Sequence, residues 1–267
     1  MTTATSPATG RLFLVPNTLD LGAGSDPSAL PDIRQVLPQG VLTQAAALRY
    51  WAAENAKSTR LFLKRVDAVA PLSGPLQDVA ITELPRPPKG QRKDAPGASA
   101  DAELKRLLAP AQNGHDMGLI SEAGLPGVAD PGAALVKVAH QHGIPVVPLA
   151  GPSSLVLAVA ASGLNGQSFA FVGYLPVDRA ERAQRLHELE QLSRRANQTQ
   201  LVIETPYRNA ALLSALTEHL HERTWLSVSC GLTLDGGFTR TDPVAKWRSR
   251  PTALPDHIPA VFAFLAS

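Results

Sequence analysis

The sequence predicts an α/β protein made of two α/β domains with mainly parallel sheets. Three observations carry that expectation. Short β-type runs alternate with longer helical patterns along most of the 267 residues. Runs such as Leu12–Val15 and Ala260–Leu265 are apolar without polar alternation, which fits strands covered on both faces. The pattern then restarts after Gly163, and the length suits two modest domains of roughly 150 residues or fewer. The expected organisation is a loose tail over 1–10, an N-terminal domain over 11–164 and a C-terminal domain over 165–267.

Arg11–Pro16 reads as a strand stopped by proline, and Leu30–Leu48 as helical with a break at Pro38. Tyr50–Glu54 reads as a strand, after which Asn55 can cap a helix carrying Leu61, Phe62, Leu63 and Val66. Residues 67–99 hold repeated Pro and Gly with no sustained period and read mostly as loop. A helix near Ala100–Leu108 and a strand near Met117–Ser121 follow. Asp130-Pro-Gly opens another helix, Ile144–Pro148 is a short strand, and Ser153–Ala161 is a buried helix. In the second half, strands are expected at 168–172, 199–203, 225–232, 238–241 and 260–265. Helices are expected at 178–195 and 206–222, the first with balanced Arg and Asp/Glu on a solvated face.

Composition narrows the function. Lys and Arg number 25 and Asp and Glu 23, a net charge of +2, which is no basic coat of the kind that binds nucleic acid by charge alone. The single cysteine, Cys230, excludes an intrachain disulfide framework and sits in a strand-like run as an inert core thiol. Residues 1–10 lack the basic and apolar regions of a signal peptide, and no apolar tract approaches the roughly 20 residues of a membrane span. A cytoplasmic protein is expected. Neither a Walker lysine motif nor a Gly-x-Ser-x-Gly elbow is present, and His140 and His142 lack the spacing of a helical metal pair, so no metal is expected.

Ligands of open α/β sheets bind beyond the carboxyl ends of strands. Three strand-end turns have the composition for it: Ser121-Glu-Ala-Gly-Leu-Pro126 continuing to Asp130, Leu149-Ala-Gly-Pro-Ser-Ser154, and Ile203-Glu-Thr-Pro-Tyr-Arg208. Small residues there let a ligand approach the backbone closely. Asp130, Ser153 and Ser154 also have an alternative role as helix caps. A fourth loop, Asn17–Ala29 with Gly22-Ala-Gly-Ser-Asp26, resembles a phosphate loop only loosely and reads as an ordinary flexible turn. Arg86, Lys89, Arg92 and Lys93 form a basic loop that either grips phosphates or is simply solvated.

These blocks, with Leu14-Val-Pro16, Ala52-Ala-Glu-Asn-Ala-Lys57, Ala129-Asp-Pro-Gly132 and Phe171-Val-Gly-Tyr-Leu-Pro176, resemble the tetrapyrrole methylase superfamily. The branch most similar is that of ribosomal RNA small-subunit methyltransferase I, and the likeness runs in consistent order over about residues 11–265. The resemblance implies a tetrapyrrole methylase-like fold with S-adenosylmethionine in a cleft between the domains, usually within a homodimer. It implies that Ser121, Glu122, Ala123, Gly124 and Pro126, with Gly151, Pro152, Ser153 and Ser154, approach the cofactor. Glu204, Thr205, Pro206, Leu232 and Thr233 would contact it from the second domain. The leading activity is methylation of a ribose 2′-hydroxyl in ribosomal RNA, free or in the small subunit. The alternatives are a tetrapyrrole or other small-molecule methyltransferase and a non-catalytic cofactor-binding module. A ribose hydroxyl must lose its proton, which makes Glu54 the candidate base and Lys57 an alternative base or phosphate contact. Tyr207, Arg208, Arg92 and Lys93 are the candidate substrate contacts.

The chain also departs from that branch. An acid-Thr-Arg ending is replaced by Asn55-Ala-Lys57, and Glu122 stands where an Asp is usual. The sequence ends on a strand-like run where the branch has a small helical extension, and the tetrapyrrole enzymes' fuller glycine motif after the first strand is missing.

Overall fold

The computed structural model describes residues 9–20, 30–85 and 98–267, with backbone alone for 98–100. The Gly22–Asp26 loop and the basic loop with Arg92 and Lys93 lie outside the described residues, as does most of the expected tail. Contacts divide the chain into Met1–Pro152 and Ser153–Ser267.

The first unit is built on five strands: β1 (Leu12–Leu14), β2 (Tyr50–Ala53), β3 (Ala80–Glu83), β4 (Met117–Ile120) and β5 (Val146–Pro148). They lie in the order β3-β2-β4-β1-β5, and every pairing is parallel. Helices α1 (Gln39–Ala47) and α2 (Ala56–Asp67) join the first three strands, and α3 (Ala98–Leu107), α4 (Ala109–Gln112) and α5 (Ala133–Gln141) serve the later ones. Strand alternation sorts the side chains between two cores. Phe13, Val15, Trp51, Ala53 and Ile120 pack with α1 and α2. Leu12, Ala52, Met117 and Leu119 pack with Leu104, Leu135 and Val138 of the other helices. The sheet is covered on both faces, which is why its strands carry no polar alternation. Gly118 is paired with Trp51, and a Cβ there would lie 2.7 Å from the indole, so only glycine lets the buried Trp51 ring cross β4.

Asn55 caps α2 as expected: its side chain accepts from the Lys57 and Ser58 amides. Two local expectations change. Residues 80–83, read as loop, form the edge strand β3, whose side chains are largely exposed and therefore show no apolar run. Asp130 does not cap α5, because Gly132 at φ 130° occupies the cap position without a side-chain bond.

The second unit contains α6 (Ser154–Ser162), β6 (Phe169–Phe171), α7 (Arg179–Ala196), β7 (Thr199–Ile203), α8 (Asn209–His219), β8 (Trp225–Cys230), β9 (Phe238–Pro243), α9 (Val244–Ser249) and β10 (Ala260–Leu265). Its sheet runs β6-β7-β10-β8-β9. Only β6–β7 is parallel, and the other three pairings are antiparallel, so the expected parallel character resides in the first sheet. For β8–β9 the physical reason is connection length: residues 231–237 fold back between them, whereas a parallel crossover needs about a dozen residues. Leu186, Leu189, Leu212, Leu216 and Trp247 cover one face. Leu155, Ala158 and Val159 of α6 cover Leu201, Val261 and Ala263 on the other. That packing assigns α6 to the second unit, so the contact division falls ahead of the 164/165 boundary the sequence suggests.

Candidate functional site

In the first sheet β1, β2, β4 and β5 end along one edge: Leu14 lies beside Leu119 and Pro148, and Ala53 beside Ile120. β1 leads to helices on one face and β4 to α5 on the other, so the strand order reverses between these neighbours. That is the point at which open α/β sheets hold ligands. The loops leaving β1 and β4 are tied together there. Asn17 is buried, its Nδ2 donates to the carbonyls of Ser121 (3.1 Å) and Glu122 (3.0 Å), and its amide donates to the Gly124 carbonyl (2.9 Å). Glu54, at the end of β2, accepts the Glu122 amide on Oε2 (3.0 Å). Glu54 therefore orients the turn after β4, and the opening of α2 is satisfied instead by Asn55 and by Glu83, which accepts the Ala56 amide.

The turn is packed closely against its neighbours. Gly124 stands at φ 64°, and a Cβ on it would meet Leu19 at 3.3 Å and the Pro152 carbonyl at 3.5 Å, which also places Gly124 beside the β5 turn. A Cβ on Gly151 would lie 2.2 Å from the Pro16 side chain, so only glycine permits that close approach of the β5 and β1 ends. Ser121 Oγ is buried without a hydrogen-bond partner, a group whose unmet capacity favours a polar ligand. Ala123 is half-buried and Pro126 buried. A concavity of about 550 Å³ opens beside the turn, lined by Asn17, Asp20, Lys57, Arg60, Lys64 and Glu122 among others. Asp20 is paired with Arg65 (3.0 Å), which also reaches Thr18 and the Pro31 carbonyl and pins the β1 exit. Lys57 is exposed at the start of α2.

The second unit holds the other candidates. Ser153 occupies the cap position of α6 without a side-chain bond, and Ser154 is the first helical residue. In the second sheet, Ile203 pairs with Val261 and Cys230 with Ala260, so β7 and β8 end level on either side of β10. This brings the Glu204–Arg208 turn and the Gly231–Thr233 turn to one sheet edge. Glu204 Oε1 accepts from the Thr205 amide (2.7 Å) and from Arg208 Nη2 (2.6 Å). That bond raises the Arg208 guanidinium pKa above its ordinary value, so Arg208 remains a cation while holding the carboxylate. Pro206 starts a short 3-10 turn, Tyr207 is exposed, and the Arg208 guanidinium lies 5.9 Å from its ring centroid. Leu232 packs half-buried against the α6 cluster, and Thr233 is exposed at φ 65°. Cys230 is buried, and burial raises its thiol pKa, which leaves it unreactive. Among the described residues no group of three or more His, Cys, Asp or Glu is placed to hold a metal ion.

Sequence reasoning missed Asn17. Its signal was a polar amide placed directly after the strand-ending Pro16.

The fold defines a class before the sequence defines a family. The methyltransferase CobJ superposes with a TM-score of 0.52 at 14% identity, covering 97% of this chain and 100% of its own. Uroporphyrin-III C-methyltransferase from Thermus thermophilus, complexed with S-adenyl homocysteine, gives 0.50 at 16%, covering 96% of this chain and 97% of its own. At such identities the likeness shows the two-unit α/β fold alone. The model of the Tetrapyrrole (Corrin/Porphyrin) Methylases matches residues 41–235, and the chain belongs to that family. A curated relative, ribosomal RNA small subunit methyltransferase I of Mesorhizobium japonicum, is 44% identical over 115 residues, 43% of this chain and 38% of its own length. The chain spans about half the length, or less, of the curated relatives it matches.

Proposed function

We propose that the protein is an S-adenosylmethionine-dependent methyltransferase whose acceptor is a ribose 2′-hydroxyl of small-subunit ribosomal RNA. The observation that carries the reading is the first unit's strand-end turn, Ser121–Pro126, held by Asn17 and Glu54 at the reversal of strand order, with the buried Ser121 Oγ unpaired. Support comes also from the names of the relatives and from the S-adenyl homocysteine in the fold neighbour. The residues fit such a cofactor: glycine at 124 and 151 lets the β1, β4 and β5 ends close together into one edge, and the buried Ser121 offers an unpaired hydroxyl there. Ser153, Ser154, Glu204, Thr205, Pro206, Leu232 and Thr233 complete the proposed cofactor set.

When bound, the cofactor supplies a methyl group made electrophilic by its sulfonium. The chain's own work is to align the acceptor and exclude water. Glu54 already spends Oε2 on the Glu122 amide, leaving Oε1 to take the proton of a hydroxyl presented beside the turn. Lys57 offers a cation to a neighbouring phosphate, and Tyr207 and Arg208 offer an aromatic face and a planar cation to substrate in the second unit. The proposal includes a homodimer acting in the cytoplasm, where ribosomal subunits are found. Among the described residues no helix is long and apolar enough to cross a membrane.

The test is transfer of radiolabelled methyl from S-adenosylmethionine to three acceptors: small ribosomal subunits, free small-subunit rRNA and a tetrapyrrole precursor. Label in the rRNA, resistant to alkali at the modified ribose, is the expected result. Label confined to the tetrapyrrole overturns the RNA acceptor. Normal transfer by Glu54→Gln removes Glu54 as the base. Light scattering at twice the monomer mass is expected.

A further inference from the structure

The outer face of α2 carries a row of cations. Lys57, Arg60 and Lys64 follow one another at spacings of three and four, so they share a face and, at 1.5 Å rise per residue, run about 10 Å along the axis. All three are exposed. Among the described residues none of them forms an ion pair, and Arg60 makes only a long bond, 3.5 Å, to the Ala56 carbonyl. The acid of this helix, Asp67, accepts the Leu72 amide instead. On α7 Arg185 pairs with Glu188 at 3.2 Å, while Arg179 and Arg182 form no ion pair among the described residues, so the α2 row is set apart by the concavity it lines.

The three unpaired cations also line the concavity of about 550 Å³, which includes Asn17, Asp20 and Glu122. Cations in a row, next to acids and an amide, select a ligand with charge along one edge and neutral, hydroxyl-bearing groups on the other. A macrocycle with carboxylates around its whole perimeter has no such asymmetry and would engage the row of cations with one edge only. A nucleic-acid strand has the required asymmetry: phosphates along one edge, sugars and bases along the other.

We propose that Lys57, Arg60 and Lys64 form a track for the sugar–phosphate backbone of single-stranded RNA, leading the strand to the Asn17–Glu122 turn. The inference rests on the methyltransferase reading for what happens at the end of the track, and on the α2 geometry for the track itself. A chain with a net charge of only +2 would then engage a polyanion through a local row of cations rather than through its overall charge.

The experiment is a fluorescence anisotropy titration of the full chain with a labelled single-stranded uridine RNA of about 12 nucleotides, over roughly 50 to 200 mM KCl. Each single-strand phosphate contact contributes about 0.7 to the slope of log affinity against log salt, so Arg60→Gln/Lys64→Gln is expected to flatten the slope by about 1.4. Affinity at the lowest salt should fall about tenfold or more, with circular dichroism unchanged. An Arg179→Gln/Arg182→Gln variant on α7 should keep the wild-type slope. An unchanged slope in the α2 variant, or an equal loss in the α7 variant, overturns the track. So does a wild-type chain that ignores the RNA but binds uroporphyrin III through Arg60 and Lys64. Calorimetry with S-adenosylmethionine on the same proteins reports separately on the methyltransferase reading: if cofactor binding is absent while the slopes behave as expected, that reading fails and the track stands.

Discussion

The two sheets place their strand-end turns by opposite means. In the first, the turn after β4 is held by residues far away in sequence, Asn17 from the end of β1 and Glu54 from the end of β2. In the second, Glu204 is held by its own turn, through the Thr205 amide and the Arg208 guanidinium four residues on. A parallel sheet covered on both faces brings several strand ends to one edge, so distant residues can brace one loop. A largely antiparallel sheet joined partly by a tight return has fewer such ends, and its turn is braced locally. The first site is therefore the more preorganised and the more sensitive to single substitutions at remote positions.

The comparison can be broken most forcefully at Asn17. Asn17→Ala leaves the buried Ser121 carbonyl and the part-buried Glu122 carbonyl without this donor, at a cost of about 2–3 kcal/mol. Denaturant unfolding should register it, and hydrogen exchange should rise in the first unit alone. Gly151→Ala comes next. Its Cβ overlaps the Pro16 side chain, and the resulting strain is expected to cost about 1–3 kcal/mol, visible as a lower Tm. In the second unit Arg208→Ala takes one partner from Glu204, a buried carboxylate that keeps the Thr205 amide, and should cost about 1–2 kcal/mol, with exchange changes confined to residues near 204–209. If Arg208→Ala destabilised the protein as much as Asn17→Ala, the contrast between remote and local bracing would be wrong.

The smallest expected effect is a pH dependence in the second unit. Asp242 is held below the ordinary carboxylate range, first by its bond from Lys246 (2.6 Å) and also by Arg240 (2.8 Å), whose guanidinium lies 3.9 Å from the Trp247 ring centroid. A lowered folded-state pKa means that this contribution is complete above the ordinary value of about 3.9 and is lost as pH falls through the lowered one. Thermal melts of the wild type should therefore drop more steeply between about pH 4 and pH 3 than those of Asp242→Asn, by an amount equivalent to less than about 1 kcal/mol.

Much of the fold was legible because local chemistry and global placement agree. Asn55 and Asp178 each cap the helix that follows them, and β7 and β10 coincide with their apolar runs. β3 was illegible because an exposed edge strand need not be apolar, and its neighbours Pro75 and Pro85 read as loop punctuation. The antiparallel half of the second sheet was readable in principle, since Gly231, Gly236 and Gly237 mark a return too short for a crossover. At the candidate site the turn compositions pointed to the backbone that a ligand would approach. Asn17 escaped because its importance lies in two carbonyls more than a hundred positions away, a relation that spacing within the chain does not display.

The account centres on the Asn17-braced turn as the seat of the cofactor, and calorimetric titration of S-adenosylmethionine into the wild type and Asn17→Ala tests it most directly. Saturable binding at submillimolar concentration is expected for the wild type, weakened about tenfold in a folded Asn17→Ala protein, which corresponds to about 1.4 kcal/mol. A wild type with no binding in that range, or a folded Asn17→Ala that binds as tightly as the wild type, would contradict it.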